Sequence, residues 1–197
     1  SDRKVIFNDR GEGHFVSKVV DIVSGKSETL PHAIYSLSPQ GKYAVATDFR
    51  RINDTRPGYG YAGFADPWGD QTAPAEVGIQ RLDLETGETK MLVSLADIID
   101  HPYAGTRKEA FAKGKHWFNH LLVSPDGKRT IFLHRWRTEP NRWATRIFTI
   151  GLDGSGLREL NPGADMVSHF IWRDSDHILA WTTHPSEGGA FYLLGEV

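Results

Sequence analysis

The 197-residue sequence contains no cysteine and only two methionines. Without cysteine the chain has no disulfide bonds, no thiolate metal site and no cysteine nucleophile. It also lacks a strong charge of either sign, because 23 Lys and Arg against 25 Asp and Glu give a formal net charge of −2. We therefore expect no binding of nucleic acid. No apolar run approaches the roughly 20 residues of a membrane-spanning helix, so the composition predicts a globular domain.

Glycine-containing turns recur along the chain in two kinds of hairpin. The first kind is an alternating apolar strand, a short polar turn with glycine and a second strand, which is typical of a tight β-hairpin. It occupies 19–30, 81–92 and 147–160. The second kind carries Ser-Pro-X-Gly-Lys at its turn and occupies 33–49 and 119–136, with a third copy at 168–184 that has lost the Pro and Gly. The two kinds alternate, so each pair predicts a four-stranded antiparallel unit.

Repetition of such units predicts an all-β fold, a β-propeller built from four-stranded blades. We expect one partial propeller domain over 1–197, with about three to four blades. Blade remnants are expected at 1–31 and 167–197, and fuller blades at 33–95 and 119–162. Because propellers have about four to eight blades, we expect either a longer propeller or another copy or chain that supplies the missing blades.

Two segments interrupt the strand pattern. Helical periodicity is weak everywhere except from Leu95 to about Lys113, where His101 and Pro102 divide the pattern. A long segment from Ile52 to Val77 is rich in Gly, Pro, Asp and Tyr. Long loops without regular structure often carry function, so this loop is expected to lie over a binding site.

The turn motif supports a family resemblance. Residues 124–128 are a full copy of Ser-Pro-Asp-Gly-Lys, and residues 38–42 differ from it only at Gln40. The chain resembles propellers of the TolB-like and oligogalacturonate-lyase-like types. The lyase resemblance implies β-elimination on a uronate-containing oligosaccharide or polysaccharide, often with a divalent metal. Neutral imidazole is a common ligand of transition metals, so a cluster of histidines could hold Mn or Zn. The TolB resemblance implies a non-catalytic scaffold for proteins or sugars. We expect a periplasmic or secreted protein, although a cysteine-free chain is equally compatible with the cytosol.

Histidines are placed at one rim by the second kind of hairpin. In such a hairpin the start of the first strand and the end of the second lie at the same rim. That rim should gather four histidines as candidate metal ligands: His120, His134, His169 and His184. Tyr35, Asp48, Arg50 and Arg51 should lie on a neighbouring blade at the same rim. A shift of one residue in strand register reverses every side chain, so the pattern leaves open whether His120 and His134 share a face.

The lyase resemblance assigns roles to this rim. A base must remove the C5 proton, an acid must protonate the leaving oxygen, and a cation must stabilise the carboxylate charge. The candidates are His120 or His134 as base, Arg135 or Arg50 as cation, and Tyr59 or Tyr61 as acid. Substrate-binding candidates are Arg50, Arg56, Trp136 and Trp143. The alternative is that the rim histidines bond loop backbone and have a structural role.

Overall fold

The computed structural model describes residues 3–184 and 186–196. These residues form fourteen strands and three short helices. The strands are β1 (Lys4–Arg10), β2 (Phe15–Asp21), β3 (Ser27–Leu30), β4 (Ile34–Leu37), β5 (Tyr43–Ala46), β6 (Gly78–Asp83), β7 (Thr89–Ser94), β8 (His116–Val123), β9 (Arg129–Glu139), β10 (Arg142–Gly151), β11 (Arg158–Glu159), β12 (Val167–Trp172), β13 (His177–His184) and β14 (Gly188–Gly195). The helices are α1 (Phe49–Thr55), α2 (Leu95–Asp100) and α3 (Lys108–Lys113).

The strands form four antiparallel sheets, each from consecutive strands. The first sheet is β1-β2-β3, the second β4-β5-β6-β7, the third β8-β9-β10-β11 and the fourth β12-β13-β14. All six predicted hairpins are present as neighbouring strand pairs. The fold is therefore the predicted one: all-β, with blade-like sheets of which the first and last are incomplete.

The serine of the predicted turn motif holds together the second-kind turns of the second and third sheets. At the turn of the third sheet, Ser124 Oγ donates to Asp126 Oδ1 (2.7 Å) and accepts from the backbone N–H of Arg129 (3.0 Å). Gly127 has φ of +73°, a conformation that side chains rarely adopt. Ser38 Oγ makes the corresponding bond to the N–H of Tyr43 (3.0 Å). The motif thus fixes the register of the strands on either side.

Successive sheets pack face to face and share cores. One core joins the second and third sheets through residues such as Val45, Ile79, Phe132 and Phe148. Another joins the third and fourth sheets around Trp172. A smaller one joins the first and second sheets. The outer faces of the first and fourth sheets have no neighbouring sheet in the described part of the chain.

The two interruptions of the strand pattern fold in different ways. The expected helix from Leu95 to Lys113 is two short helices, α2 and α3, because the segment around Pro102 is extended. The long loop begins as α1 and is then held by Arg51, which is 1% exposed. Its guanidinium donates to Asp66 (3.1 Å) and to four backbone carbonyls. One buried arginine therefore orders much of a loop that has no regular structure. Among the described residues, no helix has the length and apolar character needed to cross a membrane.

Candidate functional site

The first strands of the second, third and fourth sheets each contain an irregularity in their pairing. Their pairing shifts between Ile34 and Ser36 in β4, between Asn119 and Leu122 in β8, and between Ser168 and Phe170 in β12. His120 and His169 lie at these bulges with φ of +52° and +48°. Such a backbone costs about 1–3 kcal/mol for a residue other than glycine. A strained histidine repeated at the same place in two blades directs attention to these two bulges.

His120 is held by its neighbour and by a side chain of the second sheet. Asn119 Oδ1 is 2.8 Å from the His120 backbone nitrogen and 3.0 Å from its Nδ1. The Tyr35 hydroxyl donates to the same Oδ1 (2.8 Å) and accepts from the His120 N–H (3.1 Å). Asn119 is 1% exposed, and its Nδ2 is buried without a partner. This small network joins two blades at the histidine.

Two arginines without acidic partners lie beside His120. Arg135 is 4% exposed, and its Nε and Nη1 are buried with no hydrogen-bond partner. Arg56 follows α1 and lies over the Tyr59 ring (3.4 Å from guanidinium carbon to centroid) and near Trp143 (4.5 Å). Arg135 also lies 5.9 Å from the Trp143 centroid. We call these residues, Asn119, His120, Arg135, Arg56, Tyr59 and Trp143, the Arg135 site.

The electrostatics of the Arg135 site favour a negatively charged occupant. Burial, with help from Arg135 and Arg56, lowers the pKa of His120 to about 4. Burial and Arg56 lower the pKa of Arg135 to about 10, so Arg135 is still charged at neutral pH. No carboxylate of the described residues forms an ion pair with Arg135 or Arg56. A buried cation with no partner is costly, and an anion would remove that cost.

Tyr59 and Tyr61 take different positions although the sequence proposes both as acids. Tyr59 is 51% exposed and stacks on His120 with centroids 6.5 Å apart. Tyr61 stacks on Phe49 (4.3 Å) and accepts a hydrogen bond from Asn8 (3.0 Å). The structure therefore brings Tyr59, rather than Tyr61, against His120.

His134 and Trp136 do not lie in the Arg135 site. Both are fully buried. Alternation along β9 places them on the opposite face from Arg135, where His134 Nε2 bonds His116 Nδ1 (2.9 Å) and Trp136 packs on Phe111. This corrects the expectation that His134 acts as base or metal ligand at the rim and that Trp136 stacks on a sugar. The two side chains lie on the opposite face because of the strand register, which the sequence pattern left open.

The predicted four-histidine metal site is not formed. His134 is buried on the other face, and His184 bonds Ser186 and contacts Tyr192 at the exposed end of β13. His169 bonds its neighbour Ser168 (2.6 Å). Among residues 3–184 and 186–196, no three His, Asp or Glu side chains are grouped so that they could hold a metal ion. The described residues therefore do not fit a Mn or Zn centre.

Arg50 lies in a separate cleft between the first two sheets. Its guanidinium pairs with Asp48 (2.7 Å) and lies 5.8 Å from the Trp68 centroid. The cleft has a volume of about 390 Å³, and its walls include His32 and Glu76. Because Asp48 already neutralises it, Arg50 is a weaker candidate than Arg135 for binding a carboxylate.

Sequence reasoning missed Asn119 as a site residue. A signal was present: a polar residue followed by histidine lies at the same distance before the turn in two blades, Asn119-His120 and Ser168-His169. Sequence reasoning also put Arg51 at the rim, whereas its guanidinium is buried under the loop. Its buried partner, Asp66, comes from within that loop, and no local pattern connects the two.

Comparisons with known proteins agree with the propeller-type architecture. No family model matches the sequence, and no curated protein matches it. A solved structure of oligogalacturonate lyase in complex with manganese matches with a TM-score of 0.55 and 16% identity, over 94% of this chain and 45% of the lyase chain. An acylaminoacyl peptidase from Pyrococcus horikoshii matches with a TM-score of 0.51 and 14% identity, over 96% of this chain and 28% of the peptidase chain.

The present chain therefore spans less than half the length of either protein. At such identities the likeness shows the fold alone. The sheets and these comparisons together indicate an incomplete propeller-type fold, with four blade-like sheets of three or four strands among the described residues.

Proposed function

We propose that the chain is part of a carbohydrate-active propeller that binds a uronate-containing oligosaccharide or polysaccharide at the Arg135 site and cleaves it by β-elimination. One observation carries the proposal: Arg135 is buried, charged and has two unpartnered donors. A guanidinium forms paired hydrogen bonds with a carboxylate. The carboxylate of a uronate beside Arg135 and Arg56 would neutralise their charge, and it would reach the buried Nε and Nη1 once the side chains that cover them move aside.

The other residues of the Arg135 site supply the remaining requirements. A His120 ring that is neutral at pH 7 can accept the proton from C5 of the uronate. As the C5–H bond breaks, its electrons form the C4–C5 double bond, and the C4–O4 bond breaks. Tyr59 is the candidate to give the departing O4 its proton. Arg135 stabilises the charge that builds on the carboxylate during this step.

The reaction is suggested by the fold likeness to oligogalacturonate lyase, whose solved structure is a complex with manganese. The described residues of the present chain do not form a metal site, so the proposed steps use only side chains of the Arg135 site. The aromatic rings of Tyr59 and Trp143 are candidates to pack against the faces of the sugar, as aromatic side chains do with apolar surface.

The test is the ultraviolet absorbance of the 4,5-unsaturated product during incubation with polygalacturonate and other uronans. We expect Arg135→Met and His120→Gln to lower the rate by about a hundredfold or more, the usual effect of removing a charge-stabilising or proton-transfer group. Arg173→Met, in the exposed turn that follows β12, serves as the control. No unsaturated product from any uronan, or equal rates for Arg135→Met and the control, would refute the proposal.

A scaffold is the second candidate function, favoured by the exposed outer faces. Large apolar side chains there include Phe7 in the first sheet (48% exposed) and Ile171, Phe191 and Leu193 in the fourth (58%, 63% and 49%). A second copy, or another chain that supplies further blades, would cover them. Measuring the molar mass in solution for the wild type and for Phe191→Ser tests whether the chain associates through the outer face of the fourth sheet. A monomer in both cases argues against association through this face.

A further inference from the structure

We propose that Asn119 is a positioning residue that holds the His120 ring in its Nδ1–H tautomer and leaves Nε2 as the proton-accepting atom. The role of Nε2 as a base rests on the proposed function. The tautomer does not, because it is a property of the protein without substrate. Asn119 contacts only protein atoms in this account, so its effect passes through His120.

The backbone decides which atom of the Asn119 amide faces His120. A backbone N–H can only donate, and the His120 nitrogen lies 2.8 Å from the amide atom. That atom must therefore be the oxygen, since the alternative orientation would bring two donors together. The tyrosine hydroxyl of Tyr35, at 2.8 Å, can donate to the same oxygen. The orientation thus follows from hydrogen bonding rather than from atom labels.

The amide oxygen in turn decides the tautomer. His120 Nδ1 lies 3.0 Å from Asn119 Oδ1. Oxygen can only accept, so Nδ1 must carry the hydrogen. In a neutral ring the other nitrogen, Nε2, then has a free lone pair. Nε2 has no hydrogen-bond partner in the described part of the chain, and it is not among the buried unpartnered atoms, so it is open to a ligand.

The surroundings of His120 explain why this arrangement is retained despite its backbone strain. The positive φ of His120 brings its own backbone N–H and its ring Nδ1 to one oxygen. Tyr35 from the second sheet closes the network. Burial above all, together with Arg135 and Arg56, disfavours a proton on the ring and lowers its pKa, which keeps the ring neutral at pH 7. A neutral ring with a fixed tautomer is what a proton acceptor at Nε2 requires.

The tautomer is measured directly by NMR of the free protein, from the ¹⁵N shifts and the two- and three-bond couplings of the histidine rings. His120→Gln identifies the His120 signals by their loss. We expect the wild-type ring of His120 to be neutral at pH 7 with its proton on Nδ1. Asn119→Asp keeps the shape and the oxygen acceptors but adds a negative charge, and it should raise the pKa of His120 by about 1–3 units. Asn141→Asp, at an exposed turn, makes the same change of charge in water and should leave that pKa unchanged.

Each outcome decides the proposal independently of activity. A proton on Nε2 in the wild type overturns it, and this measurement needs no variant that must fold. A proton on Nδ1 with the same His120 pKa in Asn119→Asp and Asn141→Asp overturns the role of Asn119. A proton on Nδ1 with a raised pKa in Asn119→Asp alone supports it. If Nδ1 carries the proton and the pKa rises in Asn119→Asp alone, but no uronan is cleaved, then the proposed function is refuted while the positioning role of Asn119 is supported.

Discussion

Acidification should weaken the fold through the buried histidine pair on the other face of β9. His116 Nε2 lies 2.8 Å from the carbonyl oxygen of Phe111, so it must donate, and His116 Nδ1 then accepts from His134 Nε2 (2.9 Å). The accepting Nδ1 requires a neutral His116 ring in the fold. Burial lowers the pKa of His116 to about 4 and lowers that of His134 well below its usual value.

The sign and size of the effect follow from these pKa values. Below about pH 6.5 histidines of the unfolded chain take up protons, whereas the buried rings resist them. The contribution of these histidines to the free energy of unfolding is therefore fully present above about pH 6.5. It is lost as the pH falls towards their pKa in the folded state. With a pKa of about 4 in the fold, His116 alone lowers the free energy of unfolding by about 2 kcal/mol between pH 7 and pH 5. His134 acts in the same direction.

Urea denaturation at pH 7 and pH 5 measures this loss. In His116→Gln the difference in the free energy of unfolding between pH 7 and pH 5 should be smaller than in the wild type by about 2 kcal/mol, because one titrating group has been removed. Phe111→Leu is the matched control, since it loosens the same packing without removing a titrating group and should lower stability equally at both pH values. The reasoning is refuted if His116→Gln keeps the full wild-type pH dependence.

Two further predictions concern the loop that contributes Arg56 and Tyr59 to the Arg135 site. Arg51→Met should destabilise the protein by about 3–5 kcal/mol, because it leaves Asp66 buried without its cation. In denaturant titrations, the double variant that also carries Asp66→Asn should recover part of this loss. If the double variant recovers none of the lost stability, the pairing of Arg51 with Asp66 is contradicted. Gly60→Ala should lower the free energy of unfolding by about 1–3 kcal/mol, since an added Cβ would collide with the backbone of Phe49 and Asn53. Thermal unfolding of this variant is compared with that of Ala62→Ser, an exposed control. Equal melting temperatures would contradict the prediction, because the loop would then accommodate the added Cβ without loss of stability.

The hairpins were predictable because their signals are local. Ser38 and Ser124 bond within their own turns, so a five-residue motif contains both the serine and the backbone that it holds. The alternation of two turn types then predicts the order of strands in each sheet.

The candidate site was predictable only in part, because it depends on register and on distant contacts. One extra residue in β8 and the alternation along β9 decide that Arg135 faces the site while His134 does not. No sequence pattern places Tyr35 beside Asn119, 84 residues away. Arg51 likewise finds its loop partners only when the chain has folded. Local turn chemistry predicts blades, whereas tertiary packing decides which side chains of those blades meet.

The most direct test of the Arg135 site is a binding measurement with a matched pair of sugars. Calorimetry at pH 7 compares a galacturonate trisaccharide with the corresponding neutral galactose trisaccharide, for the wild type and Arg135→Met. A charge-assisted hydrogen bond contributes about 1.5–3 kcal/mol, so the wild type should bind the acidic sugar about tenfold or more tightly than the neutral one. Arg135→Met should lose this preference. Equal binding of both sugars by the wild type, or a preference that survives in Arg135→Met, would contradict the account.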